Sequence, residues 1–506
     1  MKLQDFPEHI RPYILPEPSG NYFYRCIGCG EEHGIEELLY VCPKCRGVLM
    51  IEDRQWNRLK DIPGHVWRQI FDYRSMLTEP ALRGIYRFHE LLGSILPLEH
   101  IVYLGEGHTP IVAANNRLAD WAGISFWFKN DGQNPSASFK DRGMASAFSY
   151  LRHLIKSRGL SNVLAICAST GDTSASAALY ASYLVEGVRS VVLLPHGKVT
   201  PQQLGQPLGS GATVIELPGV FDDAMKVVEY LSEHYPVALM NSKNAWRILG
   251  QESYSFEIAQ QLDYDMDGLA VVAPIGNAGN ITAIIKGFLK LYDLGIITTL
   301  PVIVGVQSEH ANPVYLYYLE KNPERRVFRP VKVKPSVAQA AMIGNPVSMP
   351  RVIELVEQYR QTFGSEEGFI AVEVTEQDIM DSMLMANRNG HIACTQGGEC
   401  LAGLKKLVST GTLPRRVNRA VLDSTAHMLK FMIFQEKYFD DKFEPDYGIK
   451  PKKEYQNHPV VIRLPDDVPQ PGAGKTLSAE EFQQFVREAA NKIAEILQIE
   501  KRTGGC

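Results

Sequence analysis

The sequence predicts an α/β protein built on parallel strands, and three of its features lead there. Short apolar runs recur along the chain: "NVLAICAS" (162–169), "SVVLL" (190–194), "TVIEL" (213–217), "LAVVAP" (269–274), "PVIVGV" (301–306) and "RAVLDS" (419–424). Each is apolar almost throughout, as a strand covered on both faces must be. Segments with helical spacing separate them, so strands and helices alternate. Several strands also run straight into turns rich in Gly, Ser, Thr or Asn that open the next helix.

In chain order, residues 1–60 come first as a cysteine module. "CIGC" and "CPKC" place Cys26, Cys29, Cys42 and Cys45 in a C-x2-C-x12-C-x2-C pattern. Two such knuckles close a tetrahedron of thiolates around zinc. The alternatives are two disulfides, disfavoured in a cytosolic chain, or four incidental thiols. A full ligand set makes the metal structural. The loop between the pairs, "GEEHGIEELLYV", carries four glutamates and no lysine or arginine, which argues against a nucleic-acid ribbon. Cys167, Cys394, Cys400 and Cys506 are scattered and read as buried or incidental thiols.

The bulk of the chain, 61–437, carries the strand–helix alternation, and 438–506 is a tail. The tail ends in an amphipathic helix over 478–499, with Phe482, Phe485, Val486, Ala489, Ile493, Ile496 and Leu497 on one stripe. Ser478 caps it and Glu481 follows three residues on. This helix is expected to dock on the body or on a partner subunit. With 52 basic and 57 acidic residues in 506, the net charge of −5 leaves no footprint for nucleic acid or an anionic membrane. The N-terminus has no secretory pattern, and no apolar run approaches the about 20 residues of a membrane helix. The expectation is a soluble, cytoplasmic enzyme.

Lys140 stands out in "NPSASFKDRG" (134–143). Met144, Ala145, Phe148, Leu151, Leu154 and Ile155 follow at helical spacing, so it lies near a helix N-terminus. Unpaired N–H groups and the positive dipole end there disfavour an ammonium, and a less stable cation is a better nucleophile for Schiff-base chemistry. By position alone, a first-turn lysine reaching into water is the simpler reading. "PIGNAGNITA" (274–283) follows a strand and opens a helix near Asn280, a turn able to cradle a phosphate on backbone N–H groups. It matches neither a dinucleotide fingerprint nor a Walker loop. "ASTGDTSA" (168–175) is a second such turn. Either turn taken singly is as consistent with a purely structural role.

Together, an activated lysine and a phosphate turn on an α/β scaffold suggest pyridoxal phosphate. "GEGHTP", "NPSASFKDRGM", "ASTGDTSA", "GNAGNITA" and "STAHMLKF", in that order, resemble the signature motifs of the threonine synthases, in the fold type II group of pyridoxal-phosphate enzymes. The resemblance runs from about residue 20 to 437, and the knuckles resemble those of bacterial and archaeal members. It implies a tryptophan synthase β-like fold with two α/β subdomains around the cofactor, the smaller one (roughly 143–255) inserted in the larger. It also implies a homodimer. Lys140 matches the lysine that carries the cofactor and later shuttles protons, with Phe139 beside the ring. Gly276, Asn277, Ala278, Gly279 and Asn280 match the phosphate turn, Thr425 the hydroxyl facing the pyridine nitrogen, and Asp172 the residue near the ring hydroxyl. An aspartate there cannot donate to the ring hydroxyl unless a proton is shared between them, so such a pair would act as a unit.

"MNSKNAWRILGQ" (240–251) resembles the segment that binds substrate phosphate, here with Asn241, Ser242 and Arg247. The "STGDT" turn, through Ser169, Thr170 and Thr173, would take the substrate carboxylate. The implied reaction is conversion of O-phosphohomoserine and water to threonine and phosphate. A sister enzyme, cysteate synthase (phosphoserine plus sulfite) or a hydroxy-amino-acid dehydratase, is the alternative. "DRG" after the lysine favours the first, and the Asn241/Ser242/Arg247 set is of no use to a dehydratase. A non-enzymatic chain keeping a degenerate fold is a third reading, opposed by the intact lysine, turn and hydroxyl. Two departures stand out: the family's "NPTGSFKDR" is "NPSASFKDR" here, and "HGLK" is "HMLK", which puts Met428 where relatives carry glycine.

Overall fold

Two knuckles need a rigid base, and a small antiparallel sheet provides it. Strands β1 (Tyr22–Cys26), β2 (Glu32–Gly34) and β3 (Leu49–Asp53) pair in the order β2-β1-β3. Cys26 ends β1, and the second cysteine pair immediately precedes β3. The computed structural model describes residues 2–500 except 161–162, 170, 185–186, 197–200, 220 and 236. It divides into two compact units, up to Pro451 and from Lys452 on.

The first unit next lays down β4 (Ile111–Ala113) and β5 (Ser125–Asn130). It leaves them along the helix Lys140–Arg158 and builds a separate parallel sheet from β6 (Val163–Ala168), β7 (Val188–Pro195), β8 (Thr213–Leu217) and β9 (Val237–Leu239), ordered β8-β7-β6-β9. The chain then returns to the earlier strands with β10 (Leu269–Pro274), β11 (Val302–Ser308), β12 (Phe369–Val374) and β13 (Arg419–Ser424). The resulting six-stranded sheet runs β12-β11-β10-β13-β5-β4, parallel except for β4. Strands β10 and β11 are buried at every residue, because helices cover both of their faces. The α/β fold is thus two sheets, the smaller interrupting the larger in sequence.

Among the described residues, no helix is long and apolar enough to cross a membrane. In the second unit, the helix Ala479–Leu497 starts on a capping box: Ser478 Oγ accepts from Glu481 N, and Glu481 Oε2 accepts from Ser478 N at 2.7 Å. It ends with Gln498 in the left-handed region, two residues short of the stretch expected from its sequence.

Candidate active site

The helix bearing Lys140 begins at that residue, because the preceding loop is fastened to the end of β13. Phe139 N donates to Thr425 O at 2.8 Å and His427 N to Ala137 O at 3.1 Å, the two bonds of an antiparallel bridge between Ser138 and Ala426. The fastening forces Ala137 to φ 62°, a left-handed conformation at the position where the resembling motif has glycine. An L side chain is strained there. Ala137→Gly is therefore expected to stabilise the protein by about 0.5–1 kcal/mol, read from the denaturant midpoint. No gain would mean that the turn has relaxed around the methyl.

Lys140 opens into a cavity. Around it are Phe139, Asp172, Ser242, Arg247, the turn Gly276 to Asn280, and Thr425, all residues singled out in the sequence. Burial pushes the Lys140 amine down to about 7, with Arg247 adding to the effect and Asp172 and Asp423 opposing it. Loss of water around the amine thus outweighs the neighbouring charges. Its Nζ lies 4.0 Å from the centre of the Phe139 ring.

Two residues along the same helix, Arg142 anchors it in a buried set of charges. Its Nε and Nη2 reach Asp131 at 2.7 and 2.8 Å, and its Nη1 and Nη2 reach Glu257 at 2.9 and 2.8 Å. Lys129 pairs with Glu257 at 2.9 Å, and Thr109 Oγ1 donates to Asp131 at 2.7 Å. Two cations face two carboxylates, so the set is balanced although it is sealed from water.

Arg247 is 2% exposed and donates Nη1 to Met240 O at 3.0 Å, while its Nε has no partner. Burial lowers its pKa to about 10, with the nearby Cys167 sulfur opposing the shift. Ser242 lines the cavity beside it. Asn241 does not: its amide donates to Ala168 O at 2.6 Å and accepts from Ala168 N at 3.0 Å, tying its segment to β6. Ser169 and Thr173 also lie outside the lining, where their turn contributes only Asp172, and Thr170 lies outside the described residues. Met428 is half-buried, donates N to Ile392 O at 3.1 Å, and does not line the cavity.

The turn after β10 folds close to its neighbours. A Cβ at Gly276 would meet Ala341 Cα at 2.9 Å, and Ala278 takes φ 62°. Asn280 turns its side-chain amide to Asp423 Oδ2 at 2.7 Å. Thr425 Oγ1 lies 3.6 Å from Cys394 Sγ.

Several residues at or beside the cavity were not singled out in the sequence, Gln396, Lys430 and Arg351 among them. Gln396 lines the cavity with both side-chain amide atoms buried and unpartnered. Lys430, inside the quoted "STAHMLKF", pairs with Asp172 at 2.9 Å. Arg351 donates to Leu49 O at 2.7 Å, to Ser348 Oγ at 2.9 Å and to Ser242 O at 3.3 Å. It links the cysteine sheet to the cavity wall, as does Trp246, which donates to Tyr24 OH at 3.1 Å. Only the presence of a lysine within a quoted motif could have drawn attention to any of the three.

The four clustered cysteines are free thiols whose sulfurs all lie within 4.8 Å of one another. Cys26 and Cys45 are 3.4 Å apart, Cys29 and Cys42 3.7 Å. A zinc tetrahedron with arms of about 2.3 Å has edges of about 3.8 Å. A Cβ at Gly47 would come within 2.9 Å of Cys26 Sγ, so glycine keeps this cluster compact.

Residues 102–422 match the family model described as pyridoxal-phosphate dependent enzyme. The chain is 34% identical over 414 residues to the threonine synthase of Methanocaldococcus jannaschii, covering 80% of this chain and 92% of that one. It is 32% identical to the chloroplastic threonine synthase 2 of Arabidopsis thaliana, covering 83% and 79%. Among solved structures, the threonine synthase of Escherichia coli superposes with a TM-score of 0.60 at 20% identity, over 82% of this chain and 90% of that one, a likeness of fold.

Proposed function

Because this chain belongs to the threonine synthases, within the pyridoxal-phosphate dependent enzymes, we infer that it is a lyase of threonine biosynthesis, converting O-phosphohomoserine and water to threonine and phosphate by β,γ-replacement. The observation that carries the substrate is Arg247, a buried guanidinium facing the Lys140 cavity with no carboxylate partner among the described residues. Such a cation is costly until an anion arrives. A phosphate ester is the anion its planar fork suits.

The donor set fits the cofactor: a buried lysine and a glycine turn line one cavity, the turn leaves no room for a side chain at Gly276, and the Gln396 amide awaits a partner. Lys140 would hold the cofactor's carbonyl carbon, the turn Gly276 to Asn280 its phosphate, Thr425 its ring nitrogen, and Phe139 and Asp172 its ring and hydroxyl. When bound, pyridoxal phosphate supplies the ring that draws off the electrons left when protons leave the substrate's carbon chain. A neutral hydroxyl at Thr425 tempers that pull. Lys140, as a free amine, would take the protons from Cα and Cβ and return protons at Cγ and Cα, while the hydroxyl of water takes the place at Cβ and phosphate leaves Cγ. Arg247 and Ser242 hold the departing phosphate, and Asn241 acts at one remove by holding their segment against β6. The Ser169 to Thr173 turn would receive the substrate carboxylate.

We assign a structural zinc to Cys26, Cys29, Cys42 and Cys45, supported by the sulfur spacings, and with it a cytoplasmic location, where thiols stay reduced. The test is a product assay on pyridoxal-phosphate-loaded protein of measured zinc content, given O-phosphohomoserine or phosphoserine plus sulfite. Threonine and phosphate in equal amounts from the first, with about one zinc per chain, is the expected result. Cysteate from the second would move the substrate to the sister enzyme, and zinc-free active protein would sink the metal assignment.

A further inference from the structure

Asp172 puts a carboxylate into the wall of the cavity that holds Lys140, its side chain only 6% exposed. That charge works against the chemistry: it favours the ammonium form of Lys140, where burial and Arg247 favour the free amine. Lys430 lies against it. Its Nζ is 2.9 Å from Asp172 Oδ1 and donates to Ser136 O at 2.8 Å, with the side chain 17% exposed. Ser136 belongs to the loop leading into Lys140 and is itself gripped by Asp141, which accepts from Ser136 N at 2.6 Å and from its Oγ at 2.7 Å. The smaller sheet's side reaches the same carbonyl through Gln206 Nε2 at 3.2 Å. Lys430 thus joins the segment after β13, the loop before Lys140 and the first turn of the helix Asp172–Tyr183.

We propose that Lys430 is a positioning residue of this reaction: paired with Asp172, it cancels that carboxylate's charge at Lys140 and keeps Lys140 available as an uncharged amine. The inference rests on Lys140 being the reacting amine. The other groups acting on Lys140 are Arg247 on the helix Ala245–Gln251, Asp423 on β13 and Cys167 on β6. Lys430 also acts on Asp141, the residue after Lys140. Without Lys430, the charge of Asp172 is uncompensated, Lys140 holds its proton more tightly, and less free amine is present at neutral pH.

The test uses full-length, cofactor-free protein, acylated with limiting acetic anhydride across a pH series, with the Lys140 peptide quantified by mass spectrometry. Lys430→Met is expected to slow acylation of Lys140 at pH 7 by about three- to tenfold and to move the profile's midpoint upward. Lys430→Arg should stay close to wild type, and Lys430→Met with Asp172→Asn should return to within about twofold of it. A Lys430→Met profile that overlays wild type overturns the proposal. So does a double variant as slow as the single one, since Lys430 would then act only by holding the Ser136 loop. If Lys430→Met does not fold, Asp172→Asn alone decides: faster acylation with a lower midpoint supports the proposal, and an unchanged profile overturns it. A wild-type Lys140 titrating like surface lysines would overturn the assignment of the reacting amine itself, before any variant is compared.

Discussion

Lys140→Ala is expected to lower threonine formation by at least about a thousandfold while leaving the fold intact. Lys140 is the amine at the head of a helix whose start is fixed by two backbone hydrogen bonds to the segment after β13, so its removal takes the proposed reacting group and leaves the scaffold. Its pKa falls from 10.5 to about 7 chiefly through burial, so a large share of it is free amine at neutral pH. The same burial opposes folding, and the sign follows from linkage. A lysine whose folded pKa is depressed destabilises the native state fully below about 7, progressively less between about 7 and 10.5, and not at all above. Lys140→Met should therefore be at least as stable as wild type in the cofactor-free form. Its advantage should be greatest at acid pH and fade as pH rises through that window. Activity and thermal unfolding measured side by side check both halves. A variant that is inactive because it unfolds would sink the assignment.

Much of the scaffold is legible along the chain because its signals are local. The runs 269–274 and 419–424 are strands with the expected bounds, since continuous apolarity marks burial on both faces. The run 213–217 is also a strand with the expected bounds, but it lies at the edge of its sheet and no residue of it is buried, so the expectation of cover on both faces fails there. The helix start at Lys140 is readable from the apolar spacing that follows it. Its lowered pKa is readable in direction only: the helix end suggests it, but burial is the larger cause, and burial depends on the whole fold. β5 and β12 escape notice because "SFWFKN" and "FIAVEV" mix polar residues into the run, and one of those polar residues, Lys129, points into a charge set assembled from distant segments. Arg351, Lys430 and Gln396 have no local signature, for each acquires its role by meeting residues far along the chain. Asn241 shows the converse. Its motif match is local, yet its amide is taken up by Ala168, a partner that only the fold supplies.

Arg142→Met is expected to cost about 3–5 kcal/mol of stability, the largest loss predicted for any single substitution in this protein. Arg142 is fully buried and serves two carboxylates at once, Asp131 through a two-pronged pair and Glu257 through Nη1 and Nη2. With it gone, Lys129 alone faces both, and Lys129 reaches Glu257 but makes no ion pair with Asp131. Among the described residues, Asp131 would keep the Thr109 hydroxyl alone, a neutral donor, in a site closed to water. Arg142→Lys should recover only part of the loss, because an ammonium cannot span two carboxylates with a planar fork. Since Arg142 stands two residues from Lys140, cofactor binding should weaken along with stability, whereas a substitution elsewhere in the core of equal cost would leave it alone. Denaturant midpoints with and without pyridoxal phosphate measure the two effects together. A loss below about 1 kcal/mol would mean that water reaches the set and that its charges are solvated rather than paired.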